Sequence, residues 1–511
     1  MYPGTHAQEA PDRPAVVMAG SGRTLTYRQL DDDSAAIAAA LHARGLRRGD
    51  VVAVLSDNAP EVFSIFWAAM RSGLYVTPVN RNLSASEVAY IVDDSGAKAL
   101  FVSAVLEDVA RKVVSEVDVE HRFAFGAEVE GFESLQALID SAEGRLEAQP
   151  RGADMMYSSG TTGRPKGVKS AMLPIDVDQP GDPITGLLGQ AFKVGPNDVY
   201  LQPAPIYHAA PLKWAGAVHA LGGTVVMMEK FDAEEALRTI QDHHVTVAQF
   251  VPTMFVRMLQ LPEETRTAYD VSSLRLAVHA AAPCPPEVKE AMIDWWGPVV
   301  FEYYGSTEQH GITFISTPEW LTKRGSVGKA MIGIAHVCDD EGNELPAGEV
   351  GGVYFERDTV PFEYHNDPEK TAAAINPQHP TWTTVGDLGY LDEDGFLFLT
   401  DRKSFVIISG GVNIYPQEIE NVLALHDKIY DVAVIGVPDP EMGQSVKAVV
   451  QLKPGVEASD ALAEEIIEYV KERIARFKAP RSVDFVEALP RTPTGKLVKR
   501  DLEKLYAVQG A

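Results

Sequence analysis

The sequence predicts an α/β protein of two domains, and three observations carry that reading. Helical and strand-like segments alternate through most of the first 400 residues, as in largely parallel sheets covered by helices. The texture then changes: short strands and one amphipathic helix occupy a final stretch of about 110 residues, the size of a small α+β domain. A chain of 511 residues can bury two or more separate cores, and its 45% apolar and 23% charged residues are those of an ordinary globular protein.

In order along the chain, residues 34–46 carry an Ala- and Leu-rich helical pattern, residues 51–55 a short buried strand, and residues 60–72 a second helix stopped by Gly73. Residues 224–228 and 274–279 read as buried strands, with a helix over 233–243 between them. Asp394-Gly395, flanked by Tyr390-Leu391 and Phe396-Leu397-Phe398-Leu399, predicts an Asp-Gly hairpin. Beyond Asp401-Arg402-Lys403 come a strand, a Ser409-Gly410-Gly411 turn, a helix after Pro416, and strands over 432–437 and 446–452. In the helix that follows, Leu462, Ile466, Ile467, Val470 and Ile474 share one face. The boundary is placed at Lys403, giving domains of residues 1–402 and 403–511.

Forty-five basic against 72 acidic residues leave a formal charge of −27, which argues against a surface built for nucleic acid or anionic membrane but allows a local basic pocket. Two cysteines, Cys284 and Cys338, exclude a disulfide framework or a thiolate metal cluster and read as bystanders. The first residues lack the basic-then-apolar run of a secretory signal, and no stretch approaches a membrane span, so a cytoplasmic protein without an integral membrane segment is expected. His243-His244 has no partners at ligand spacing, and Asp392-Glu393-Asp394-Gly395 lacks the rest of a calcium loop.

The strongest local signal is Tyr157-Ser158-Ser159-Gly160-Thr161-Thr162-Gly163-Arg164-Pro165-Lys166-Gly167. Glycines let backbone N–H groups turn toward an anion, hydroxyls add donors, and Lys166 adds a positive point charge, so the stretch can cradle a triphosphate. It is not the P-loop of kinases and GTPases, which requires Gly directly before its Lys where this chain has Pro165.

This stretch resembles the phosphate loop of the acyl-adenylate-forming superfamily, which includes acyl-CoA synthetases, firefly luciferase and peptide-synthetase adenylation domains. The similarity runs from Thr24-Leu25-Thr26-Tyr27 to Lys496, with separate motifs in the family's order. It implies layered α/β sheets and a distorted β-barrel in the large N-terminal AMP-binding domain, and a mobile C-terminal domain. It implies ATP, Mg²⁺ and coenzyme A as reactants and cofactor, and a small carboxylic acid as substrate.

Residue by residue, the resemblance places Ser158, Ser159, Gly160, Thr161, Thr162 and Lys166 on the phosphates. In Tyr304-Gly305-Ser306-Thr307-Glu308, Tyr304 would stack on adenine, Thr307 meet the α-phosphate, and Glu308 help hold Mg²⁺. Ala281 and Ala282, after Ala280, resemble the other wall of the adenine slot. Asp387, in Gly386-Asp387-Leu388-Gly389, matches the ribose-binding aspartate, and Arg402 an arginine on ribose or phosphate. In Pro490-Arg491-Thr492-Pro493-Thr494-Gly495-Lys496, Lys496 matches the catalytic lysine, whose charge would offset that developing as pyrophosphate leaves. His208 matches a gate on the pantetheine route, and Gly410 and Gly411 the turn that flanks that tunnel after domain rotation.

The pivot lies just after Arg402, at Lys403-Ser404-Phe405, where relatives commonly carry an acidic residue or a lysine followed by an acidic one. Ser404 and Phe405 suggest unequal half-reactions, with adenylation the weaker in the extreme case. Glu302 and Val385 also depart from the usual Asn and Thr of the neighbouring motifs. The acyl pocket would be walled by Trp214, Phe250, Pro252 and Gly311, with Ala215, Gly216, Thr253 and Ile312 nearby, a mixture that suits a bulky, largely apolar acid. The expected function is therefore an acyl-CoA ligase working through an acyl-adenylate. Two alternatives remain beside it: an adenylating enzyme that loads a carrier-protein thiol, and a catalytically silent adenylate-binding protein.

Overall fold

The computed structural model describes residues 1–158, 165–424, 426–491 and 497–509. Among these, the strands form four sheets. One eight-stranded sheet centres on Val51–Leu55, a strand buried at every position and paired in parallel with Tyr75–Val79 and Ala97–Ser103. A nine-stranded sheet runs in parallel through Val199–Gln202, Val247–Phe250, Leu276–His279 and Val300–Gly305.

The period-two alternation of these strands sorts their side chains into layers. Val52, Val54 and Phe101 of the first sheet meet Tyr200, Val225, Val247 and Val278 of the second in one core, with the helices Tyr27–Ala43, Glu61–Met70 and Ala209–Ala220 between them. Glu61–Met70 buries every residue but its first, which is why this helix is apolar all round. The opposite faces carry separate cores. Ala53, Leu55 and Leu100 pack under Ala85–Asp94 and Glu107–Glu116, and Leu201, Ala248 and Ala277 under Ala233–Asp242, Pro252–Leu259 and Pro286–Trp296. Two sheets thus alternate with three helical layers.

A five-stranded antiparallel sheet follows, built on Ile334–Cys338, Gly351–Glu356, Asp387–Leu391 and Leu397–Arg402. The smaller C-terminal domain has a sheet of Ile407–Ser409, Val412–Ile414, Ile429–Asp439, Gly443–Leu452 and Ser482–Val486, with Pro416–Leu423 and Asp460–Lys471 packed on one face. Large layered and small α+β domains are thus both present.

Several expected elements shift. The helix expected over 34–46 is Tyr27–Ala43, begun by a capping box in which Thr26 and Gln29 bond each other's backbone, so Leu46 lies beyond its end. The expected Asp-Gly hairpin is a longer loop: Leu391 pairs with Leu397, and Asp392 Oδ1 accepts from the N–H groups of Asp394 and Phe396. By contrast Gly410-Gly411 is a true two-residue turn joining Ile407–Ser409 to Val412–Ile414, with φ of +58° and +78°, which only glycine adopts readily.

Candidate active site

Antiparallel pairing assembles the phosphate side. Ala153–Ser158 pairs with Lys166–Ser170, and Phe362–Tyr364 pairs with the latter's other edge, so the segment after Tyr364 arrives beside Lys166. Tyr157 OH donates to Asp94 Oδ2 at 2.6 Å, tying the first strand to a neighbouring helix. Lys166 Nζ pairs with Asp367 Oδ2. Asp367 caps the Pro368–Ala373 helix, its Oδ1 accepting the Lys370 N–H at 3.0 Å.

Val300–Gly305 delivers Tyr304 and runs into a tight turn. Gln309, at a left-handed φ of +55°, donates its N–H to Ser306 O, and Ser306 Oγ lies 2.8 Å from His310 Nδ1. The turn presents Thr307, half-buried, and Glu308, buried, whose Oε1 accepts from Tyr364 OH at 2.9 Å. Burial pushes the Tyr364 hydroxyl well above its ordinary range, with Glu308 adding to the effect, so it stays a donor. Among the described residues no cluster of three or more His, Cys, Asp or Glu could hold a metal ion by itself. Glu308 alone fits a Mg²⁺ bound mostly by phosphate oxygens and water.

Asp387 and Arg402 stand directly opposite on paired strands. Arg402 Nε donates to Asp387 Oδ1 at 3.0 Å, while Tyr304 OH donates to Oδ2 at 2.7 Å. Burial, then Asp387, holds the Tyr304 hydroxyl protonated. Just beyond the end of Leu276–His279, whose last pair is His279 with Glu302, Ala281 has φ +73°, costing on the order of 1 kcal/mol for a residue with a Cβ. Ala281 is exposed and Ala282 half-buried. Asp367 and Tyr364 thus link Lys166 to Glu308, while Asp387 joins Arg402 to Tyr304, which precedes Glu308 by one tight turn.

The acid side departs from expectation. Trp214, on Ala209–Ala220, stacks on Tyr303 (centroids 5.8 Å apart, 17° between planes) and on Phe192. Tyr303 OH accepts from Gln249 Nε2 at 2.8 Å. Strand alternation therefore turns Phe250 to the opposite face, where it is fully buried against Phe255 and Trp296. Pro252 is the first residue of the Pro252–Leu259 helix and is buried with it. Gly311 also faces away from Tyr303, and a Cβ there would collide with the Phe355 ring. Trp214 thus meets Tyr303, which Gln249 bonds, while Phe250 and Gly311 turn to the other faces of their segments; the sequence alone assigned neither Tyr303 nor Gln249 to this pocket.

A polar chain joins the two sides. Lys213, beside Trp214, reaches Asp154 Oδ1 at 3.0 Å, Asp154 Oδ2 accepts from Ser170 Oγ, Ser170 Oγ accepts from Gln309 Nε2, and Arg357 donates to Gln309 O. His208 occupies the N-cap position of Ala209–Ala220, half-buried, its ring 4.5 Å from that of Tyr207.

In the C-terminal domain, Gly410 donates its N–H to Met442 O at 2.8 Å on an exposed turn that includes Gly411. Lys403–Phe405 forms a single 3₁₀ turn with Ser404 exposed, and Phe405 lies near the buried Lys499–Glu420 pair, 5.7 Å from the ammonium. Ser159, Gly160, Thr161, Thr162 and Lys496 lie outside the described residues, as does the Ser158 side chain. Both cysteines are reduced; burial pushes the Cys284 thiol up and that of Cys338 up to about 11, so neither is a nucleophile at neutral pH.

A sequence model described as AMP-binding enzyme matches residues 4–365, and one described as AMP-binding enzyme C-terminal domain matches residues 418–496. The chain is 34% identical to a fatty acid–[acyl-carrier-protein] ligase, ScoC, of Streptomyces coeruleorubidus, over 98% of this chain and 95% of that protein. It is 35% identical to the 3-[(3aS,4S,7aS)-7a-methyl-1,5-dioxo-octahydro-1H-inden-4-yl]propanoyl:CoA ligase of Rhodococcus jostii (strain RHA1), over 94% and 93% respectively. The crystal structure of ATP-bound MatB from Rhodopseudomonas palustris superimposes with a TM-score of 0.83 at 29% identity, covering 99% of both chains. No helix of the described residues is long and apolar enough to cross a membrane.

Proposed function

Because the chain belongs to the AMP-binding enzyme family, we propose that it is an AMP-forming acid–thiol ligase that activates a bulky, largely apolar carboxylic acid with ATP and transfers the acyl group to coenzyme A. The observation that carries this reading is the convergence of Tyr304, Asp387 and Arg402 with Glu308 and Lys166 along one margin of the large domain.

In the first half-reaction a carboxylate oxygen of the acid attacks the α-phosphorus of ATP, and pyrophosphate leaves. Tyr304 and the Ala281-Ala282 segment would flank the adenine, and Asp387 with Arg402 would hold the ribose. Lys166 and the phosphate loop would hold the phosphates, while Thr307 and Lys496 would meet the charge that develops at the α-phosphate. Glu308 would hold Mg²⁺, which supplies charge neutralisation on the phosphates when bound. In the second half-reaction the thiolate of coenzyme A attacks the acyl carbon and AMP leaves, along a route that His208, Gly410 and Gly411 would border.

We assign residues 1–402 to the AMP-binding domain and 403–511 to a domain that pivots at Lys403 and Ser404. The exposed Ser404 and the Phe405 ring beside Lys499 support a pivot that favours one pose, so the two half-reactions proceed with unequal efficiency. Trp214, Tyr303 and Gln249 wall the acid and support a bulky, mostly apolar substrate. The reading includes a cytoplasmic location, where ATP and coenzyme A are supplied.

The likeness to an acyl-carrier-protein ligase supports a second acceptor, the phosphopantetheine thiol of a carrier protein. The test is mass spectrometry of the purified protein with an acid library, Mg-ATP and coenzyme A, beside a tube of preformed acyl-adenylates and coenzyme A without ATP. Acyl-CoA in both tubes is the expected result, and a holo carrier protein in place of coenzyme A separates the two acceptors. Neither acyl-CoA nor acylated carrier, from ATP or from adenylate, overturns the reading.

A further inference from the structure

Lys370 is a half-buried lysine that no carboxylate satisfies. Its ammonium lies 3.8 Å above the Tyr364 ring, and among the described residues no Asp or Glu oxygen comes within 4 Å of it. The phosphate loop, residues 159–164, contains no acidic residue that could serve instead. Burial first, and then Lys166, hold the Lys370 ammonium below its ordinary range, with Glu308 and Asp367 acting the other way. Asp367 is too occupied to compensate. One of its oxygens is taken by Lys166 and the other by the backbone N–H of Lys370 itself. Among the described residues Asp367 is the one carboxylate ion-paired with either lysine, and Glu308 acts on Lys370 only from beyond contact, an arrangement that an anion of higher charge would improve.

The position indicates which anion. Lys370 lies on the short helix Pro368–Ala373 that follows Phe362–Tyr364, the strand paired with Lys166–Ser170, and that helix is capped by Asp367, the partner of Lys166. Its ring platform, Tyr364, donates to Glu308, the carboxylate assigned to the metal–phosphate end of the site. The ribose end, where Asp387 engages Tyr304 and Arg402, is built from other strands.

We propose that Lys370 is a second pyrophosphate-binding lysine, closing with Lys166 on the β- and γ-phosphates of ATP while Asp367 serves as the placeholder counterion that the incoming phosphates displace. The proposal rests on the adenylation reading above and deepens it. Pyrophosphate leaves with the first half-reaction, and the acyl-adenylate retains only the α-phosphate. Lys370 therefore acts on nucleotide activation and on pyrophosphate inhibition, and not on transfer of the acyl group to a thiol.

The test is calorimetric titration of the full-length protein with Mg-pyrophosphate and, separately, with AMP, in wild type and in K370M, K370R and D367N. K370M is expected to weaken pyrophosphate about tenfold and leave AMP within about twofold, K370R to restore most of the loss, and D367N to tighten pyrophosphate. With preformed acyl-adenylate and coenzyme A, K370M is expected to transfer at the wild-type rate. Unchanged pyrophosphate affinity in K370M overturns the proposal, as does a wild type that binds no pyrophosphate, or a parallel loss of AMP and pyrophosphate, which marks a structural role. A wild type that binds pyrophosphate through Lys370 but forms no acyl-CoA or acylated carrier defeats the functional reading and leaves this site standing. Acyl-CoA formation with a Lys370-independent pyrophosphate affinity defeats the site alone.

Discussion

The nucleotide side and the acid side of the candidate site are built on different principles. On the nucleotide side most of the charged groups have polar partners within the protein: Lys166 has Asp367, Glu308 has Tyr364, and Asp387 has both Tyr304 and Arg402. On the acid side an aromatic stack of Trp214, Tyr303 and Phe192 is drawn from a helix, a central strand and a loop far apart in sequence, with one buried amide, Gln249, among them. The first kind of site holds its charges in reserve by internal pairing, which a ligand must exchange. The second is shaped by packing and offers its ligand mostly surface. Affinity for nucleotide should therefore respond to single polar groups, and choice of acid to ring positions.

Replacing Asp387 is the most severe way to break that contrast. D387A leaves Arg402 and Tyr304 without their shared acceptor, and should raise the KM for ATP about a hundredfold. Pyrophosphate exchange kinetics would read this, and a matching rise in the KM for the acid would show that the two sides are not separable. Y303F keeps the ring on Trp214 but removes the acceptor of Gln249. It should change kcat/KM about tenfold across a panel of acids, with ATP affinity unmoved. Equal effects on every acid would mean that Tyr303 supports the fold without selecting substrate.

The smallest expected effect is one of acidity, because both sides contain histidines buried in the neutral state. Burial lowers His219, in the helical layer behind Trp214, to about 3 and His310, behind Tyr304, to about 4. Below pH 6.5 the unfolded chain binds protons that these folded groups refuse. Stability therefore rises with pH from about 4 to 6.5, each group contributing a slope of up to about 1.4 kcal/mol per pH unit. Asp33, raised by burial to about 6, opposes this trend between its unfolded value of 3.8 and 6. Urea unfolding across that range should show the net slope, and H219Q should flatten it. An unaltered slope in H219Q would mean that His219 is already protonated in the folded protein.

The same contrast explains what the sequence disclosed. Alternating elements gave the α/β class, and the domains appeared because each strand or helix is coded by a local period. Lys166 stood out because a phosphate cradle demands glycines, hydroxyls and a cation within one short stretch, and Tyr304, Glu308, Asp387 and Arg402 through the short motifs that resemble the family's. Their partners did not: Asp367 and Tyr364 reach them only through the pairing of Phe362–Tyr364 with Lys166–Ser170, a long-range register with no local signature. Phe250 was expected beside Trp214 but packs against Phe255 and Trp296, because proximity in sequence to a strand end does not say which face a side chain takes, and a one-residue step reverses it. Gln249, one residue earlier, is the group that meets Tyr303.

Gly311, just before the strand Ile312–Ile315 of one sheet, and Phe355, in another sheet, occupy one volume between them: the Phe355 ring lies where any side chain at 311 would have to begin, and it also borders Tyr304 and His310. The two positions are therefore bound to a common fate in descent. A larger residue at 311 is viable only in a lineage that has first made 355 small, and across homologues the pair should trade size in step.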